Sequence, residues 1–250
     1  MSRDPLRALL GAERRARPTL ALSPEGTDPQ AGPEAAALTL GRAHEVCGPS
    51  AAVFAAMAAA RLAARAGPGP VLWIRGPRAE GTTNPDGLSA FLDPARLVLA
   101  APRRPEDALW CAEEALRAGA AGLAVVELPG PPGLTAVRRL HLAAEAGAAL
   151  AAGQGAPPPL ALLLTPDPGG AQGVETRWRM SPAPSHPGPG GRPEPRWRLE
   201  LLRARMVRPR RWRVGWADDP GSDGGLELWR DPETPVPRSP RRPARGLSAA

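Results

Sequence analysis

Five short apolar runs limit what this chain can fold into: Ala43–Cys47, Val71–Arg75, Arg96–Ala100, Gly122–Leu128 and Leu160–Thr165. Most are continuously apolar rather than alternating, as in parallel strands buried on both faces. Stretches of helical length separate them. Ser50–Ala66 carries Val53, Phe54, Met57 and Leu62. Pro105–Ala118 opens on Pro105, Glu106 and Asp107 and stops at Gly119, residues suited to the two ends of a helix dipole. Thr135–Ala146 aligns Val137, Leu140 and Ala144 and is expected to stop at Gly147. Strand alternating with helix implies right-handed crossovers onto one sheet, so the expected class is α/β, a mostly parallel sheet flanked by helices.

After Thr165 the pattern changes to strands at Thr176–Ser181, Arg196–Met206, Arg211–Trp216 and Leu226–Arg230, added antiparallel at the C-terminal side. Trp197, Leu199 and Leu201 alternate with Arg196, Arg198 and Glu200, which predicts one buried and one charged face. Pro182–Pro195 reads as a Pro/Gly loop. The expected organisation is an N-terminal helix (4–16) and flexible linker over 1–37, one domain over 38–230, and a disordered Pro/Arg-rich tail over 231–250.

The 32 basic residues are all arginine, so there is no Schiff-base amine and no phosphate-loop lysine. Residues 1–170 hold 16 arginines against 16 acids, and residues 171–250 hold 16 against nine, so the net charge of +7 lies in the C-terminal third. Nine arginines fall between Arg192 and Arg213, with Trp197 and Trp212 among them. Arginine forks suit phosphates and stack on bases, so Arg196, Arg198, Arg203, Arg205, Arg208, Arg210, Arg211 and Arg213 form a candidate face for nucleic acid or an acidic partner. Cys47, Cys111, His44, His141 and His186 have no metal-site spacing. Glu113 and Glu114, adjacent on a helix, are expected at the surface, as is His141 unless it has a structural role. No signal peptide or membrane span is expected, and a reduced cytoplasm is the default location.

The segment HEVCGPSAAVFAAMAAARLA runs from a strand through Gly48-Pro49-Ser50 into a helix. It resembles the phosphate-loop region of RecA recombinases, in which Gly-Pro leads to a glycine, a lysine and a threonine. PRRPEDALWCAEEALRAGAAGLAVVELP resembles the RecA helix and strand that follow, and Arg196–Trp216 resembles its closing strands. More narrowly, NPDGL, PRRPEDALWCAEEAL, PPGLTAVRRLHLAAEAG, LLLTPDPGGAQGVETRW and WRLELLRARM together resemble the ImuA family, bacterial SOS-induced mutagenesis accessory proteins sometimes described as SulA-like. The resemblance covers about residues 38 to 216.

Carried over position by position, the resemblance implies a degenerate phosphate loop at Gly48, Pro49, Ser50, Val53, Phe54 and Ala55, the last three standing for the glycine, lysine and threonine. Glu127 stands at the metal-side acid, Arg75-Gly76-Pro77 replaces the water-activating acid (Glu80 lies close by), and Thr165-Pro166 replaces the γ-phosphate sensor pair. It implies a RecA-like domain with no catalytic residue, cofactor or metal. The function implied is a non-catalytic accessory factor of SOS-induced translesion DNA synthesis, with an ImuB-type Y-family-like polymerase homologue, an error-prone replicative polymerase and RecA as candidate partners. Its place would be the bacterial cytoplasm, at the nucleoid when recruited. Direct DNA binding by the arginine face and a SulA-like division inhibitor are the alternatives.

Overall fold

The computed structural model describes residues 17–22, 36–66, 69–77, 84–187, 193–204, 207–216 and 226–230. The helix expected over 4–16, the tail over 231–250, Glu80 and Arg205 lie outside them. The strands are β1 (Thr19–Ala21), β2 (Ala37–Thr39), β3 (Ala43–Cys47), β4 (Val71–Arg75), β5 (Leu97–Ala100), β6 (Leu123–Glu127), β7 (Leu160–Thr165), β8 (Thr176–Pro187), β9 (Pro193–Ala204), β10 (Arg210–Trp216) and β11 (Leu226–Arg230). The helices are α1 (Ala51–Ala66), α2 (Pro85–Ser89), α3 (Pro105–Ala118) and α4 (Leu134–Gly153), with a 3-10 turn at Pro94–Arg96.

The fold is α/β. A nine-stranded sheet runs β11-β10-β9-β8-β3-β7-β6-β4-β5. From β8 to β5 the pairings are parallel, and from β8 to β11 they are antiparallel. β3 is the seam between the parallel body and this antiparallel wing. On one face, α1 and the β1–β2 ribbon share a core with Trp73, Trp178, Met180, Trp212 and Val214. On the other, α3 and α4 bury Ile74, Ala124, Val126 and Leu163. Ala55, Ala56 and Ala58 are fully buried, and these short side chains let α1 lie close on the strands.

Three local expectations are corrected. Part of the supposed linker is structured: Thr19–Ala21 pairs antiparallel with Ala37–Thr39, because Leu20 and Leu22 each find a place in the core. Helix α4 runs on to Gly153 instead of stopping at Gly147. A Cβ at Gly147 would lie 1.8 Å from the Leu116 carbonyl oxygen, so this glycine permits close approach of α3 and does not end a helix. Where a loop was expected over 182–195, β8 and β9 extend to a Pro187–Pro193 pairing, with a register irregularity between Ala183 and His186 that accommodates the prolines.

His44 ties the seam together. Thr176 Oγ1 accepts from the Trp178 indole N–H (2.6 Å) and lies 2.6 Å from His44 Nδ1, while His44 Nε2 lies 3.0 Å from the Thr39 carbonyl. That carbonyl can only accept, so Nε2 carries the proton and Nδ1 receives the threonine hydroxyl. Burial pushes the His44 pKa down to about 4 from the ordinary 6.5.

Because the folded pKa is depressed, the folded state binds fewer protons than the unfolded chain between pH 6.5 and 4. Stability from His44 is therefore complete above pH 6.5 and is lost as the pH falls towards 4, by about 3 kcal/mol in total. Urea denaturation of wild type and His44→Gln across that window checks this: the variant should lose less stability on acidification. Gly147→Ala should cost about 2 kcal/mol through the clash with Leu116, despite alanine's better helix propensity. Gly153→Ala, with open space around its Cβ, should be neutral or stabilising in the same measurement.

Candidate functional site

The turn from β3 to α1 is only Gly48-Pro49-Ser50. Gly48 has φ +92°, and a Cβ there would come 2.5 Å from the Met180 carbonyl oxygen, so the close approach to β8 requires glycine. Pro49 has no N–H, and the Ser50 N–H donates to that same carbonyl at 3.1 Å. A helix N-terminus cradles anions through free amides, and here the turn commits its amide to the sheet. Phe54 lies in the core with its ring 5.9 Å from that of Trp178. Ala55 is fully buried, and Val53 is half-buried against the same core.

Glu127 ends β6, beside Arg75 at the end of β4. Its Oε1 accepts from the Trp73 indole N–H at 2.6 Å, and its Oε2 lies 3.6 Å from Arg75 Nε. The carboxylate thus has a guanidinium where a metal-binding acid would face a cation. Trp73, Arg75 and Glu127 line a pocket of about 260 Å³ with Val53, Leu88 and Phe91. Among the described residues no group of three or more His, Cys, Asp or Glu side chains could hold a metal ion.

Glu45, not singled out by sequence, is fully buried in β3. Oε1 accepts from the Thr165 hydroxyl (2.8 Å) and the Gly170 and Ala171 amides (2.8 and 3.0 Å), and Oε2 accepts from Ala171 and from Arg177. Burial alone would raise its pKa, but the bonds from Ala171, Arg177, Thr165 and Gly170 outweigh it and hold the carboxyl below the usual range. The Gly169-Gly170 segment is thereby anchored to the sheet. A buried charge in a central parallel strand is rare unless it is paired, and the adjacent His44-Glu45 inside an apolar run was the signal available.

Burial pushes the Cys47 thiol up to about 12, and it points at the Trp178 carbonyl, so it is no nucleophile. His141 bridges the Ala43 amide and the Gly173 carbonyl, a structural role. Glu113 is buried and bonds Arg139 of α4 as well as Arg117, so only Glu114 of that pair lies at the surface as expected.

The wing sorts the arginines by strand alternation. Trp178, Leu199, Leu201, Trp212 and Val214 face the core, and Trp197 packs half-buried against it. Arg196, Arg198, Glu200, Arg211 and Arg213 fall on the opposite face. Arg211 pairs with Glu200 at 2.6 Å, and Arg196 pairs with Glu194 and lies 4.3 Å over the Trp229 ring. Arg198, Arg203, Arg208 and Arg213 are exposed, while Arg210 is half-buried in register with Leu201. Arg203 also rims a cleft of about 640 Å³ with Arg42, Arg138, His141, Glu145 and Glu175.

Glu45→Gln should cost about 3 kcal/mol in urea denaturation, because it leaves Arg177 without its charged partner. Hydrogen exchange at the Gly170 and Ala171 amides should rise with it. A loss below about 1 kcal/mol, the worth of an ordinary neutral hydrogen bond, would show that the anchor lies elsewhere.

No family model matches the chain. Protein ImuA of Caulobacter vibrioides strain NA1000 / CB15N is 34% identical over 194 residues, which covers 70% of this chain and 75% of that protein. Protein ImuA of strain CB 15 of the same species matches to the same extent. With a third of the residues identical over three-quarters of the relative's length, the chain belongs to the ImuA family.

Proposed function

We propose that this protein is a non-catalytic accessory factor of SOS-induced translesion DNA synthesis, acting by binding polymerase components. Membership of the ImuA family supports a role in the damage-induced mutagenesis system in general. The observation that carries the accessory reading is the turn after β3, where Phe54 fills the lysine position and packs on Trp178 while the Ser50 amide is taken by Met180. A triphosphate needs free amides, a lysine and a hydroxyl for its magnesium, and Val53, Phe54 and Ala55 supply none of these side chains. Arg75 beside Glu127 further supports a site that takes no metal–nucleotide complex.

On this reading residues 38–230, together with β1, form a RecA-like domain that retains docking surfaces without an ATP switch. Recruiting an ImuB-type polymerase homologue, an error-prone replicative polymerase or RecA then requires binding energy only. A second reading, direct contact with nucleic acid in the same process, is favoured by the exposure of Arg198, Arg203, Arg208 and Arg213.

Tagged protein purified from DNA-damaged cells with nuclease treatment should retain a polymerase-family protein or RecA. Recovery of nucleic acid and its escorts alone, lost on nuclease treatment, would replace the first reading with the second. Calorimetry with ATP and Mg²⁺ should show no binding heat, and deletion of the gene should lower damage-induced mutation frequency. Unchanged mutagenesis would defeat both readings.

A further inference from the structure

We propose, deepening the docking reading above and resting on it, that the cleft where α4 meets the antiparallel wing takes a short acidic segment of a protein partner. Two carboxylates of that segment seat on Arg138 and Arg203, and an aliphatic side chain packs on Leu142.

The cleft is a step in the fold. Helix α4 packs on β3 and β7 on the face away from α1, and β8 and β9 continue the sheet beyond β3. Arg138, His141, Leu142 and Glu145 of α4, Glu175 before β8 and Arg203 near the end of β9 enclose about 640 Å³. That lies within the range of ordinary ligand pockets and leaves room for a few residues of an extended chain.

The walls are already fixed by the protein's own bonds. His141 ties α4 to the Ala43 amide and the Gly173 carbonyl. Both acids of the cleft are met from within: Arg42 bonds Glu145 at 2.7 Å and lies 3.8 Å from Glu175, and Arg17 reaches Glu145 at 2.8 Å. Arg138 and Arg203 are different. Both are exposed, and neither is paired with a carboxylate among the described residues. Leu142, one turn on from Arg138, is 65% exposed in the same cleft.

This combination distinguishes between anionic partners. A nucleic-acid strand carries a continuous run of phosphates, which Glu145 and Glu175 would repel from the same walls. Its bases would meet neither Trp nor Phe in the cleft, although stacking is a large part of what holds a single strand on a protein. A peptide places its carboxylates at separate points, where guanidinium forks can each take one in paired hydrogen bonds. It can also set an aliphatic side chain on Leu142 and turn backbone N–H groups towards Glu145 and Glu175.

The test selects random peptides displayed on phage against the full chain, then measures a labelled enriched peptide by fluorescence anisotropy. Enriched peptides should carry at least two Asp or Glu residues beside Leu, Ile or Val, and amide replacement of those acids should abolish binding. Arg138→Glu/Arg203→Glu should weaken binding at least tenfold and remove most of its salt dependence. Leu142→Ser should weaken it about three- to tenfold with the salt dependence kept. Arg198→Glu, elsewhere on β9, is the control and should bind as wild type. Circular dichroism of each variant shows whether a loss reflects the surface or the fold.

Selected peptides without acidic residues, or binding that the double reversal leaves unchanged, would overturn the proposal, and so would a selection with no enrichment. Binding of labelled oligothymidylate that disappears in Arg138→Glu/Arg203→Glu would overturn it in favour of nucleic acid. Tagged protein from nuclease-treated, DNA-damaged cells separates this cleft from docking as such. Loss of the polymerase-family protein from the double variant alone supports the cleft. Its retention would overturn the cleft and leave docking intact, whereas its absence from wild type would defeat the docking reading and this proposal with it.

Discussion

The Glu45 carboxylate sits where the parallel body meets the antiparallel wing, and the continuity of the sheet depends on it. Its strand is flanked by β7 and β8, and its two oxygens bond Thr165 at the end of one and Arg177 near the start of the other. They also take the Gly170 and Ala171 amides from the segment that joins those strands. A carboxylate stripped of water is tolerated only when its lone pairs are filled and its charge is met, and this one has both. It binds the two flanking strands and the segment between them into one rigid seam, with His44 making a second set of bonds to β2 and β8.

On the proposed reading, this seam bears on function through the turn that follows it. In a phosphate-binding turn the backbone after the central strand keeps its amides free for the ligand. Here β8 lies against that turn, Gly48 lets it approach, and Met180 takes the Ser50 amide. Phe54 then faces Trp178 and Trp178 faces Trp212, whose ring centroid is 5.7 Å away, so Phe54 is part of an aromatic core linking α1 to the wing. No described helix is long and apolar enough to cross a membrane, and the wing presents a charged face on the side away from α1.

The arginine-rich stretch between Arg192 and Arg213 separates into different jobs once the strands pair. Arg196 stacks on Trp229 and bonds Glu194, Arg211 bonds Glu200, and Arg198 and Arg213 remain opposite each other at the surface. Composition treats these residues as equivalent. Register distinguishes them, because the residues facing each guanidinium from neighbouring strands decide whether it is drawn into the sheet's own packing or left exposed.

Much of the parallel body was legible from sequence for a simple reason. Residues 71–74 and 160–164 are apolar throughout because both faces of their strands are largely buried, and Pro105 and Gly119 bracket α3 by local backbone preference. The absence of a lysine or hydroxyl among Val53, Phe54 and Ala55 was equally readable, since it is a matter of residue identity. Tertiary structure alone decided the rest. Gly147 looks like a helix stop until Leu116 is found against it, and Leu20 looks like linker until β2 pairs with its strand. Glu45 and Arg177 are 132 residues apart, and so are His44 and Thr176. Local sequence determines which segments form strands and helices, because propensity and periodicity act within a few residues. Which buried charge finds its partner, and which arginine stays exposed, is set by contacts that exist only when distant segments meet.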